Sequence, residues 1–439
     1  MIQTRENRKT KQPQAPWLLP LSIGVQLLLA FFFGNLYDMR TSMAAGYIAA
    51  TGGNPYIAQD LSAVFHNGLF STFTTIGYPP PWVLILGLIY RSVYAVFPHF
   101  LVYNLAIKIP IVSANICLAY LIAHILRKLG TEEFAATRAR NFMLFNPLIL
   151  LYSSAWGQID SMVALISLSA LVLLYVEKLN RSAILLALAI SLKPIALPIA
   201  AAVFVYLLPK NQWKTLRFFL VFSTAMVVFC VLPFLVFSWN PGVIFQNWNA
   251  HFAVAGCMSF MSISEIWNKT FELREGWQVL GMLWVPALIG FAVYCLRFKR
   301  SGFKHLLTMS AAMILVFFLT KTWISEPNVL LVLPFIFILN AIGKLDRFTV
   351  TLVWVLPLVF GFFNGSLVAL MFPTFPRLMS AAFAFDNEYR VPRLIIRSIV
   401  TLPWLITGWR IVIMCSKKGL FEYESSMDDA PKWKEARWN

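Results

Sequence analysis

The chain has 439 residues, of which 59% are hydrophobic and 13% charged, and it carries a formal net charge of +17. No water-soluble core hides that much apolar surface, which excludes a cytosolic globular protein and puts the chain in a bilayer. The positive charge is spread over short loops rather than gathered in a basic domain, so nucleic acid is not the expected partner and the charge reads instead as a record of topology.

The first 16 residues are basic and precede an apolar run too long for a signal-peptide core, with no small-residue cleavage site after it. They are expected to form a retained cytoplasmic tail. Basic loops then recur at Arg127 to Arg140, Lys178 to Arg181, Lys210 to Arg217, Arg297 to Lys304 and Lys344 to Arg347, and in the tail from Arg410. The positive-inside rule makes this set cytoplasmic. The opposite face then receives a first loop over 37–100, a second over 238–278, a third from Phe372 to about Arg393, and short turns near Gly157 and Thr322.

Candidate spans in chain order are Trp17 to Leu36, Leu101 to Leu126, Phe142 to Trp156, Met162 to Val176, Leu216 to Phe237, Val279 to Leu296, Leu306 to Leu319, Val329 to Ile342, Phe348 to Met371 and Leu394 to Met414. Several fall short of the ~20 residues a perpendicular helix needs. The run Val83 to Phe97 cannot cross without breaking the loop signs, so it is expected to lie on or dip into the outer leaflet. The segment 182–209 lies between two basic loops, and at ~1.5 Å rise per residue it is too short for two crossings. A bent hairpin is expected there, broken at Lys193-Pro194, with Lys193 facing a polar cavity. A single transmembrane domain over 17–415, with polar tails 1–16 and 416–439, accounts for the whole chain. The fold class expected is an all-α polytopic membrane protein of about 11–13 transmembrane helices.

Several polar residues sit where spans emerge on the outer face. Asp38 follows the first span, at head-group depth, and Met39, Met43, Ala44, Tyr47 and Ile48 behind it have the spacing of an interfacial amphipathic helix. A helix-exit residue that meets water gives the same signature. GGNPY (Gly52 to Tyr56) and GYPPPW (Gly77 to Trp82) are turn chemistry that orders the first loop. In SSAWGQIDS, Gly157 permits a tight reversal that lets Gln158 and Asp160 face inward, although an Asp capping a turn explains the same placement. In TKTWISEPN, Lys321 and Glu326 are close in sequence; they pair with each other, or Lys321 meets a phosphate. The five histidines have no ligand spacing, the five cysteines no paired spacing. There is no glycine-rich nucleotide loop, which disfavours a nucleotide-sugar or ATP user.

The order Asp38, NPY (Asn54 to Tyr56), YPPPW (Tyr78 to Trp82), FNPLILLYSSAWGQIDS (Phe145 to Ser161), ALAISLKPIALPI (Ala187 to Ile199) and KTWISEPNVLLVLP (Lys321 to Pro334) resembles the GT-C superfamily of polytopic glycosyltransferases. It is similar to the catalytic subunit of GPI mannosyltransferase I and, more closely in its loop wording, to prokaryotic family 87 mannosyltransferases. The resemblance covers most of Tyr37 to Pro334 and rests on the order of individually weak motifs. It implies a GT-C-like bundle and inverting transfer of a sugar, mannose by inheritance, from a polyprenyl-phosphate donor to a hydroxyl of a glycan or glycolipid acceptor on the extracytoplasmic face. Asp38 then takes the role of general base, Lys193 and Lys321 support the leaving phosphate, Asp160 orients sugar hydroxyls and Tyr78 lines the lipid-phosphate entrance.

The GPI enzyme carries an Asp-x-Asp pair in its first loop, whereas here Asp38 is followed by Met39 and Arg40. A Mg or Mn ion held by paired carboxylates is thereby in doubt, with Arg40 expected to take part of its charge-neutralising role. The rival from another class is a transporter or flippase of lipid-linked sugars, which calls for inverted repeats and paired broken helices. Lys193 in an apolar hairpin is the feature that favours it. The expected location is a prokaryotic plasma membrane, or the endoplasmic reticulum in a eukaryote.

Overall fold

A computed structural model describes residues 16–416 apart from 245, 247–253, 263, 265–276, 298–301 and 366. The basic N-terminal tail, the C-terminal tail, much of the second loop and half of the basic loop at 297–304 lie outside the described residues.

The principal helices are α1 (Leu18–Phe32), α2 (Leu36–Ala50), α3 (Pro80–Ile89), α4 (Phe100–Lys128), α5 (Glu133–Leu144), α6 (Asp160–Tyr175), α7 (Leu179–Leu192), α8 (Leu197–Leu207), α9 (Gln212–Met226), α10 (Trp284–Leu296), α11 (Phe303–Thr320), α12 (Val329–Ala341), α13 (Arg347–Asn364), α14 (Met379–Glu388) and α15 (Arg390–Ser416). Among the described residues six helical segments are long and apolar enough to cross a membrane, a bent pair makes a seventh, and four shorter apolar helices accompany them. The chain is a multi-pass membrane protein. Among the described residues the one sheet is a two-residue parallel ladder, Gly256–Cys257 against Trp323–Ile324, which joins the second loop to the turn after α11.

Burial sorts the helices by place. Helix α11 is almost wholly enclosed and α12 is buried from Val329 to Leu339, as expected for helices apolar on every side at the centre of a bundle. The segment Gln212–Val236 is more apolar than α11, with mean hydropathy 2.6 against 1.7, yet only 17% of its window is buried, so it turns its surface outward to lipid. Around the centre α1 packs on α4, α4 on α6, α6 on α7, α7 on α9 and α8 on α11. Helix α3 packs along α2, burying Trp82, Val83 and Leu86.

Two breaks differ in how far the sequence announced them. The expected span Phe142 to Trp156 is not continuous: α5 ends before Asn146-Pro147, a π-helical turn runs Ile149–Ala155, and the chain then bends by 106° into α6. Proline disfavours the helical conformation of the residue before it, and Asn146 Oδ1 accepts from the Leu148 amide at 3.0 Å to start the next turn. At Lys193, as expected, the helix is interrupted. Lys193 is extended (φ −154, ψ 118) because Pro194 follows, and a 3-10 turn Pro194–Ala196 leads into α8. The two basic loops flanking this hairpin meet at its far end, where Arg217 donates to Asn180 at 3.0 Å and Lys214 lies 3.6 Å from Glu177.

Candidate active site

Asp38 is presented by a capped helix start. Asn35 precedes α2, and its Oδ1 accepts from the amides of Tyr37 at 2.9 Å and Asp38 at 3.2 Å, which fixes Asp38 in the first turn. The Asn35 amide donates to the carbonyl of Trp156 at 3.2 Å, and the Trp156 indole Nε1 donates to Asp38 Oδ2 at 2.5 Å. The turn that carries Gln158 and Asp160 is thus tied twice to the helix that carries Asp38. Its tightness requires glycine at 157: φ is +98, in the left-handed region, and a Cβ would meet Met39 Sδ at 2.5 Å and Lys108 Cε at 2.9 Å.

Asp160 is the first residue of α6, where the exposed amides and the helix dipole favour a carboxylate. It is fully buried. Lys193, freed from helical geometry by the break, donates to Asp160 Oδ2 at 2.6 Å and to Gln158 Oε1 at 3.2 Å. Asp160 Oδ1 carries no hydrogen bond. The Tyr78 hydroxyl donates to Gln158 Oε1 at 3.1 Å, and the Lys193 ammonium lies 5.5 Å from the centre of the Tyr78 ring. Burial pushes the Tyr78 phenol up to about 12, so at neutral pH it is an uncharged donor. Asp38 lies within electrostatic range of Tyr78, Asp160 and Lys193. Six side chains from four segments (Asp38, Tyr78, Trp156, Gln158, Asp160, Lys193) therefore meet at one end of the bundle.

The two loop motifs support this cluster from behind. Asn54 Oδ1 accepts from the Tyr56 amide at 3.1 Å in an Asx turn, and the buried Tyr56 hydroxyl donates to the Tyr78 carbonyl at 3.1 Å. Pro79 and Pro80 then set the start of α3. A chain of buried polar groups holds the π-helical turn in place. Ser153 Oγ donates to Asn115 Oδ1 at 2.8 Å, Asn115 Nδ2 to Gln26 Oε1 at 2.8 Å, and Ser153 and Ser161 Oγ lie 2.9 Å apart.

Three expected site residues are placed elsewhere. The Arg40 Nη1 donates to the Leu69 carbonyl at 2.8 Å, so its guanidinium ties α2 to the first loop. Glu326 is buried, accepting from Asn364 Nδ2 at 2.7 Å and from Cys257 Sγ at 3.4 Å, contacts that tie it to α13 and the second loop. Lys321 lies over the Phe317 ring at 5.6 Å, and burial pushes its ammonium down to about 8. This second group is linked to the first through Tyr152, which is within electrostatic range of Glu326 and stacks edge-on to Trp156 at 5.3 Å between ring centres.

Sequence reasoning gave no role to Trp156, Tyr56, Asn35, Asn104 or Lys108. Trp156 and Tyr56 sit inside motifs that were singled out, and Asn35 three residues before Asp38 is a helix-start pattern. Lys108, a lone ionisable residue in an apolar helix, carried a signal of its own.

No protein-family model matches the chain, and no curated protein matches it in sequence. Among solved structures it is similar to the crystal structure of ArnT from Cupriavidus metallidurans bound to undecaprenyl phosphate. The TM-score is 0.51 and the identity 12%, over 91% of this chain and 76% of that one. At that identity the likeness concerns the fold alone, an all-α polytopic membrane bundle.

Proposed function

We propose that the chain is an integral-membrane glycosyltransferase that moves a sugar from a polyprenyl-phosphate donor to a hydroxyl of a glycan or glycolipid acceptor on the extracytoplasmic face. The observation that carries this reading is the meeting of Asp38 with Tyr78, Gln158, Asp160 and Lys193 at one end of the bundle, in a fold shared with a protein bound to undecaprenyl phosphate. Asp38, steadied by Trp156, takes the proton of the acceptor hydroxyl as its oxygen attacks the anomeric carbon. The bond from that carbon to the phosphate oxygen breaks on the opposite side, with inversion, and the polyprenyl phosphate leaves with the electron pair. Lys193 supports the negative charge that develops on the phosphate, and Lys321 is the second candidate for that support. Asp160 Oδ1, buried and without a hydrogen bond, is available to a sugar hydroxyl. Tyr78, a neutral donor beside Lys193, lines the entrance of the phosphate. Mannose is the sugar proposed, from the resemblance of the motif order to family 87 enzymes; arabinose, glucose or an amino sugar would leave the same pattern.

No step runs through a divalent ion. Asp160 Oδ2 is bound by Lys193 and Asp38 Oδ2 by Trp156, and among the described residues no three His, Cys, Asp or Glu side chains converge. With Asp-x-Asp replaced by Asp38-Met39-Arg40, a resident Mg or Mn is not part of the proposal, and chelator decides the question.

One observation favours the rival transporter reading: a second broken segment, the 106° bend between Ile149–Ala155 and α6, joins the break at Lys193. A single experiment separates the two readings. Purified protein in lipid nanodiscs is offered a panel of radiolabelled polyprenyl-phosphate sugars with membrane acceptors, with and without chelator. Transfer from one donor, lost by at least about 10²-fold in Asp38→Asn while donor binding survives and chelator has no effect, is the expected result. Absence of Asp38-dependent transfer across the panel, with movement of the lipid-linked sugar in sealed vesicles, would establish the transporter.

A further inference from the structure

Lys108 lies in the third turn of α4 with no exposed surface. Among the described residues no carboxylate stands within ion-pair range of it. Its ammonium donates to two main-chain carbonyls, those of Phe33 and of Ala155, the latter at 2.7 Å. Phe33 closes α1 and Ala155 closes the π-helical turn, so both acceptors are carbonyls at helix ends, where the dipole concentrates negative charge. One turn earlier on α4, Asn104 Nδ2 donates to the carbonyls of Ala30 at 2.7 Å, Phe31 at 3.0 Å and Phe33 at 2.9 Å. Two residues beyond Phe33 stands Asn35, the cap that orients Asp38. One residue beyond Ala155 stands Trp156, the indole that binds Asp38.

A buried ammonium is costly unless it is well bound, and an apolar side chain of equal length would fill the same space in the membrane. What a methionine would not do is hold two separate chain ends against each other. We propose that Lys108 is a positioning residue for the transfer reaction: it clamps the carbonyls of Phe33 and Ala155 together and so sets the geometry between Trp156 and Asp38. The inference rests on Asp38 being the general base. Lys108 touches neither substrate nor Asp38, and acts only through the two turns it joins.

Two readouts test it in nanodisc-embedded protein. In kinetics with the donor identified above, Lys108→Met lowers kcat by about 10²-fold, the scale of a misplacement near 1 Å, and leaves the donor KM within about twofold. Combined with Trp156→Phe, it costs no more than the worse single change, because both act on one contact. In hydrogen exchange read by mass spectrometry, Lys108→Met speeds exchange in peptides covering 33–38 and 156–160 and leaves 182–192 unchanged. Ser182→Ala, which removes the hydrogen bond from Ser182 to the Ala170 carbonyl between α7 and α6, serves as the control and leaves kcat unchanged. Should Lys108→Met fail to fold, Lys108→Gln, which reaches one carbonyl without the charge, takes its place in both measurements. Unchanged exchange at 33–38, exchange raised everywhere, or losses that multiply with Trp156→Phe would each overturn the clamp. Failure of the functional reading looks different: Asp38→Asn would keep full turnover while the exchange pattern still changed.

Discussion

At the scale of the residue, the Lys193–Asp160 pair decides how the site is built. Lys193 is 13% exposed and Asp160 not at all, so neither charge is solvated well; each depends on the other, and Lys193 also on Gln158. Removing one partner leaves a buried charge alone, which costs about 3–5 kcal/mol, whereas replacing both with apolar groups costs less. Thermal unfolding in detergent should therefore show Asp160→Asn and Lys193→Met each well below the parent in Tm, and the combination Asp160→Leu with Lys193→Met above either. Equal and additive losses would mean that the two charges do not depend on each other. Asp38 differs in kind, since it is part-exposed and meets an indole rather than a cation. One carboxylate is thus bound to a lysine, while the other is the one to which the proposed reaction gives the acceptor proton.

At the scale of the element, what could be read in advance was whatever changes hydropathy or carries a proline in an apolar run. Lys193-Pro194 does both, and the break appears where expected. The break at Asn146-Pro147 carries the same proline signal, yet hydropathy averaged over Phe142 to Trp156 reads the stretch as one span. Asp38, Gln158, Asp160 and Lys193 were legible as polar groups beside or within apolar runs, and Tyr78 through the resemblance. Lys108 and the Trp156–Asp38 contact were not, because their meaning depends on which carbonyls two other segments bring to them, from 118 residues away in the case of Trp156. Gly157 joins these elements. Gly157→Ala places a methyl against Met39 and Lys108 in a left-handed backbone, and is expected to cost at least about 1 kcal/mol in stability and most of the turnover. Full turnover with an unchanged Tm in that variant would show that the turn relaxes freely.

At the scale of the whole molecule, the placement of two basic loops bears on the expected topology. Glu177, Asn180, Lys214 and Arg217 meet at one end of the α7–α8 hairpin and Lys193 at the other, so these two basic loops lie away from the candidate site. In a variant lacking the five native cysteines, Ser71→Cys is expected to react with a membrane-impermeant maleimide added to intact cells, and Glu132→Cys only after permeabilisation. The reverse pattern would invert the topology and move the chemistry to the cytoplasmic face. The third loop belongs to the same end, since Phe383 of α14 packs edge-on against Tyr37 at 6.2 Å between ring centres.

The unwound stretches at 156–159 and at Lys193 have a consequence for how such a chain diversifies. The charged groups stand on the ends of helices rooted in the bundle, whereas the first loop between Thr51 and Tyr78 reaches them through Tyr78 itself and through supports such as Tyr56. Anvil and tongs are separate parts. In the proposed reaction a change of sugar or acceptor is expected in the tongs, by exchange of loop residues, without reforging the anvil.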